Sequence, residues 1–97
     1  MRRAAKKDAN HNAIAQVFID EGCSVFDASG VGQNFPDLVI AKQGDTVLVE
    51  VKGKHGQLTE GQREFADKWQ GRAYTVRTEI EARAVARMVG IRQEDWK

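Results

Sequence analysis

The chain has one cysteine, one proline and few aromatics, which make up 7% of its 97 residues. A lone Cys23 rules out an intramolecular disulfide. Its place in the apolar run Cys23-Ser24-Val25-Phe26 predicts a small buried hydrophobe rather than a nucleophile. No apolar stretch is long enough for a membrane span or a signal-peptide core, although Arg2-Arg3 has the look of a signal's basic start, so a cytoplasmic location is expected. A formal net charge of +1 excludes a uniformly basic nucleic-acid coat. Neither an internal repeat nor a low-complexity segment is present. The length suits one domain, residues 1–97, with a modest core, near the size where a partner subunit helps stability.

What is present centres on the one proline. Pro36-Asp37 is followed, thirteen residues after the Asp, by Glu50-Val51-Lys52. Two β-branched and aliphatic runs, Leu38-Val39-Ile40-Ala41 and Thr46-Val47-Leu48-Val49, read as strands covered on both sides. Between them Lys42-Gln43-Gly44-Asp45 has the composition of a tight reversal, which predicts an antiparallel hairpin. A two-residue turn pairs Lys42 with Asp45, and a four-residue loop pairs Ala41 with Thr46; either ladder brings Asp37 opposite Glu50, whereas an odd loop would not. Directly opposed residues have β-carbons about 4.5–5.5 Å apart, and two carboxylates that close repel unless a proton or cation lies between them. Strand alternation puts Lys52 on the same face as Glu50.

An all-oxygen set without a His or Cys cluster favours a hard ion, Mg²⁺ or Mn²⁺, over zinc. Mg²⁺ is usually held by one or two carboxylates together with substrate phosphate, so the chemistry that fits is phosphodiester hydrolysis. Lys52 would orient the water or neutralise developing charge. A simpler reading stays open on these residues alone: a surface ion pair between Glu50 and Lys52, with Asp37 ending a loop.

Three motifs in order, Gly32-Gln33-Asn34-Phe35-Pro36-Asp37-Leu38, Val49-Glu50-Val51-Lys52 and Leu58-Thr59-Glu60-Gly61-Gln62-Arg63-Glu64-Phe65, resemble the PD-(D/E)XK nuclease superfamily, and within it the stand-alone VRR-NUC domains of bacteriophages and bacteria. The likeness runs from about Asp8 to Gly90. It implies a mixed α/β fold with a restriction-endonuclease-like core, in the order αβββαβα, whose central mixed sheet is flanked by helices. It further implies that Asp37, Glu50 and the Val51 backbone carbonyl hold the metal, that Lys52 is the catalytic lysine and that Gln62 supports the site. Superfamily members commonly carry another acid, usually Glu, on the first helix, where this chain offers Asn10 or Asp8. The activity implied is a Mg²⁺-dependent, structure-selective DNA endonuclease, similar to Holliday-junction resolvases and acting as a homodimer on branched DNA. The absent first-helix Glu keeps a noncatalytic DNA-binding module as an alternative, and an accessory subunit of a larger nuclease or packaging complex is a second.

The remaining organisation predicts a helix over 9–21 with Ile14, Val17 and Phe18 inward and Gly22 closing it, and a strand over 23–27. Gly30 and Gly32 lie in a loop leading to Asp37. Thr59-Glu60-Gly61-Gln62 predicts a capping box opening a helix to about residue 70, which competes with the site for Gln62. A last strand is expected over 72–77. A second capping box, Thr78 to Glu81, opens a helix carrying Ile80, Ala84, Val85 and Met88 to Gly90. Phe65 and Trp69, spaced i, i+4, are expected in the core, and Trp96 at a subunit or nucleic-acid contact. Arg2, Arg3, Lys6 and Lys7 form either a phosphate grip or a solvated arm, while Lys54 and His55 cluster after the third strand. His11, on a different helix face from Asn10, is expected to meet solvent or DNA.

Overall fold

The computed structural model describes residues 7–91. The order is α1 (His11–Asp20), β1 (Ser24–Asp27), β2 (Leu38–Lys42), β3 (Asp45–Val51), α2 (Glu60–Lys68), β4 (Ala73–Val76) and α3 (Glu79–Met88). The four strands form one sheet in the order β1-β2-β3-β4. β1, β2 and β3 run antiparallel, and β4 lies parallel to β3, with α2 as the crossover that a parallel pair requires. The sheet is therefore mixed and the αβββαβα order is as the sequence implies.

The hairpin turn is two residues long. Lys42 pairs with Asp45, and Gln43 and Gly44 adopt φ of 52° and 79°, the left-handed pair that matches strand twist in a two-residue turn. The turn is tied from outside by Asp45, which accepts from Arg72 and from the Gly90 N–H at 2.8 Å.

The two sheet faces differ. Leu38 opposite Val49, Ile40 opposite Val47 and Val51 opposite Val76 form the face that packs on Ile14, Val17 and Phe18 of α1 and on Ala82, Val85 and Ala86 of α3. The other face carries Leu48, Glu50 and Thr75, with Phe26 on the edge strand 64% exposed. α2 accompanies that second face and has no buried residue. At the end of α1, Gly22 at φ 89° lets Cys23 N–H reach Phe18 O and Gly22 N–H reach Ile19 O, both at 3.0 Å, a complete Schellman closure.

Several expectations need correction. α1 begins at His11, with Asn10 as an N-cap residue whose side chain makes no capping bond, and α2 stops at Lys68. The buried stripe of α3 is Ala82, Val85 and Ala86, continued by Val89; Ile80 is 77% exposed, and Ala84 and Met88 also face outward. Small alanines win the inner positions because α1 packs closely against α3. The second capping box is half formed: Thr78 accepts from the Glu81 N–H, but the Glu81 carboxylate accepts from the Arg77 N–H instead of closing back on Thr78. Trp69 is not in the core.

The packing yields a contrast between adjacent residues of α1. Phe18 is fully buried and Ile19 is 51% exposed. Phe18→Ala should cost about 3–5 kcal/mol, and Ile19→Ala should stay within about 0.5 kcal/mol, measured by urea denaturation. Equal costs would mean that α1 presents a different face to the sheet.

Candidate active site

The β2–β3 ladder, extended one step beyond Leu38 and Val49, sets Asp37 across from Glu50. Asp37 is held at both its backbone and its side chain. Its carbonyl accepts from the Ala28 N–H at 2.7 Å, and its Oδ2 accepts from the Val51 N–H at 2.8 Å. Glu50 is 8% exposed and shares its strand face with Leu48 rather than with the Val49 and Val51 of the core. Its Oε2 accepts from Gln62 Nε2 at 3.2 Å.

Burial, a hydrogen bond to the Asp37 carboxyl and the charge of Asp37 push the Glu50 carboxyl up to about 8; Lys52 acts in the opposite direction and Asp8 adds to the rise. Glu50 thus holds a proton where a cation could stand, as two opposed carboxylates in a poorly solvated place demand. The influence of Lys52 agrees with the alternation that puts it on the Glu50 face. Asp8 also lies near this end of the sheet, since a β-carbon on Gly53 would meet its Oδ1 at 3.8 Å.

Gln62 fills both roles that the sequence left in competition. Its Oε1 accepts from the Thr59 N–H at 3.0 Å, its own N–H donates to Thr59 Oγ1 at 3.1 Å, and its Nε2 remains free to reach Glu50. The capping box fixes the start of α2 and so aims the amide at the carboxylate.

Asn10 uses its Nδ2 to bridge two strand ends, donating to Lys52 O at 3.1 Å and to Arg77 O at 2.8 Å. Two carbonyl acceptors determine which amide atom is the nitrogen. Oδ1 is buried without a hydrogen-bond partner among the described residues. Asn10 therefore anchors the backbone of Lys52 whatever else it contacts. Arg77, which sequence reasoning missed, donates to Gly53 O at 3.1 Å and to Gly56 O, and so shapes the turn carrying the exposed Lys54 and His55. Its acceptors lie more than twenty positions away, so no local pattern could have revealed it.

His11 is a correction. It is 2% exposed, with Nε2 3.2 Å from Asp27 Oδ2, and does not face solvent or DNA. Burial raises the Asp27 carboxyl, but hydrogen bonds from Ser29, Lys7 and His11 outweigh it and hold Asp27 well below the usual carboxylate range. Lys7 is engaged in that group at 2.9 Å. Arg2, Arg3, Lys6 and Trp96 lie outside the described residues.

Among the described residues no three His, Cys, Asp or Glu side chains converge as a metal cage. The donors the site offers are the Asp37 and Glu50 carboxylates, which fit a hard cation completed by water and phosphate. The Glu50 carboxyl, pushed up by burial and by the facing Asp37, fits the same ion. Thermodynamic linkage gives a test. Folded Glu50 keeps its proton to about 8, whereas its ordinary value is 4.5. The native chain thus binds more protons across that window, and metal-free stability should fall as pH rises from about 4.5 to about 8. Mg²⁺ or Mn²⁺ should raise the melting temperature more at the alkaline end, and Glu50→Gln should flatten both responses. A metal-induced shift independent of pH and retained in Glu50→Gln would place the ion elsewhere.

No curated protein and no solved structure matches the chain. Among the described residues, no helix is long and apolar enough to cross a membrane. The family model of the VRR-NUC domain matches residues 2–83, a span that includes Asp37, Glu50, Lys52 and Gln62. With its mixed sheet and its acid pair at the end of the central hairpin, the chain belongs to the VRR-NUC domain family of the PD-(D/E)XK nuclease superfamily.

Proposed function

We propose that this nuclease domain is a divalent-metal-dependent DNA endonuclease selective for branched or otherwise structured DNA, with Mg²⁺ as the resident ion and Mn²⁺ able to replace it. The carrying observation is the Asp37–Glu50 carboxyl pair, with Lys52 on the Glu50 face and Gln62 donating to Glu50. Asp37, Glu50 and the Val51 carbonyl would hold the ion, which when bound supplies a more acidic water and charge neutralisation at phosphate. Asp37 is aimed by the Val51 N–H. Lys52 puts a positive charge where the scissile phosphate gains negative charge, and Asn10 fixes its strand end through the Lys52 carbonyl. Gln62 orients Glu50. Lys54 and His55, exposed on the turn shaped by Arg77, suit contacts to flanking phosphates.

A noncatalytic DNA-binding module is the second reading. It is favoured by Asn10, which directs its amide nitrogen to backbone at the place where the superfamily commonly has a Glu. Asp8 is then the acid available on the N-terminal side of the site. A homodimer also belongs to the proposal. Ile80, 77% exposed, and Met88, 42% exposed, lie on one outward stripe of α3 with Ala84 between them, a surface suited to a two-fold partner.

Labelled four-way junction, flap and linear duplex DNA, incubated with Mg²⁺, Mn²⁺ or EDTA, separate the catalytic and noncatalytic readings. Metal-dependent cutting of junction or flap, reduced on the order of 100-fold or more in Lys52→Ala and Asp37→Ala, is the expected result. Intact DNA with retained binding would favour the noncatalytic module. For the assembly, sedimentation of the wild-type chain should give a dimer, and Ile80→Glu with Met88→Glu a folded monomer; an unchanged mass would move the interface off α3.

A further inference from the structure

An aromatic shelf lies beside the carboxylate site. Phe65 stacks on Trp69 with ring centroids 5.4 Å apart and planes 15° from parallel, and Phe35 meets Phe65 edge-on at 5.5 Å. Trp69 is 42% exposed. The three rings come from two segments, the loop before β2 and the second half of α2 with the residue that caps it. They are held together where Gly61 allows close approach: a β-carbon there would stand 2.5 Å from the Asn34 side chain. Asn34 and Gln33, at φ of 65° and 57°, bring their amide side chains to the same place.

Phe65 and Trp69, with Gln33, Asn34, Glu64 and Lys68, line a cavity of about 280 Å³. Asn34 and Phe65 also line the adjoining hollow that reaches Glu50 and Gln62. The shelf is thus continuous with the site. Trp69, the residue that caps α2, stands seven positions after Gln62, roughly 10 Å along the helix axis, or about three phosphate steps of a stacked strand.

We propose that this cavity receives an unpaired nucleobase of the DNA substrate, stacked on the Trp69–Phe65 shelf a few nucleotides from the scissile phosphate. The inference rests on the nuclease reading and gives its structure selectivity a physical source: a fully paired duplex keeps its bases stacked inward, whereas a flap, junction or frayed end has a base to offer. The lining favours a base over a phosphate. Lys68 is paired with Glu64 at 3.8 Å, so the mouth carries neighbouring opposite charges rather than a free cation, and Glu64 would repel an anion. The Gln33 and Asn34 amides can donate to and accept from a base edge. The volume lies just below the usual range of ligand sites, about 300–1,000 Å³, which suits one planar ring system better than a helix of a protein partner.

The test is binding without cleavage, in a Lys52→Ala background, to three fluorescent probes: a blunt duplex, the same duplex with a short single-stranded flap, and that flap built from abasic residues. Trp69→Ala should weaken binding of the base-bearing flap on the order of tenfold, leave the blunt duplex and abasic flap within twofold, and keep the wild-type melting temperature. Trp69→Phe should restore most of the flap affinity. In a Trp96→Phe background, Trp69 fluorescence should be quenched by the flap and not by its abasic form. Equal weakening on base-bearing and abasic flaps, no weakening on either, or a Trp69→Ala change in sedimentation rather than in DNA binding would overturn the proposal. Because these readouts need no cutting, a lack of nuclease activity in the wild-type chain would count against the catalytic reading alone.

Discussion

Two carboxyl groups facing each other at the end of adjacent strands set the terms for this molecule. Asp37 and Glu50 are brought together by a two-residue turn several residues away, and the ladder that begins at Leu38 and Val49 fixes their backbones opposite each other. In a site with little water the pair must hold a proton or a cation. The surrounding polar groups answer to that requirement: the Val51 N–H steadies Asp37, the Gln62 amide steadies Glu50, and Lys52 supplies the nearby positive charge.

The two faces of the sheet divide stability from chemistry. α1 and α3 cover one face with a contiguous apolar core that runs from Ile14 through Val49 to Ala86. The other is covered sparsely by α2, which buries none of its residues completely and leaves Phe65, Trp69 and the approach to Glu50 open to a ligand. Elements with few buried contacts open and adjust at low cost, and such elements often carry binding surfaces. The N-terminal cap of α2 restores order where it matters. Thr59 and Gln62 lock the first turn, and that turn carries the amide to the carboxylate.

Strand ends are joined by side chains from distant parts of the chain. Asn10 links β3 to the residue after β4, and Arg77 holds the turn that follows Lys52. His11, Lys7 and Ser29 gather on Asp27 at the end of β1. The contact with Asp27 explains why His11 is buried although its helical position suggests exposure. These contacts finish the polar ends of strands rather than the apolar stripe of a helix.

Element order, the hairpin register and the acid pair were legible in the sequence because each depends on local rules: period-two alternation, a Gly-containing two-residue reversal and a cap at Thr59. The family motifs added the roles expected of Asp37, Glu50 and Lys52. The inner face of α3 was only partly legible: Val85 lies on it, but Ile80 and Met88, the larger apolar groups, face outward while Ala82 and Ala86 pack inward where α3 meets α1. Trp69 was misplaced for a related reason: i, i+4 spacing with Phe65 established that the rings share a face, and tertiary packing decided that the face remains open. The dual use of Gln62, the bridging by Asn10 and the burial of His11 were likewise decided in three dimensions. Periodicity determines which side chains point together, but what they meet depends on segments that approach only after the chain has closed.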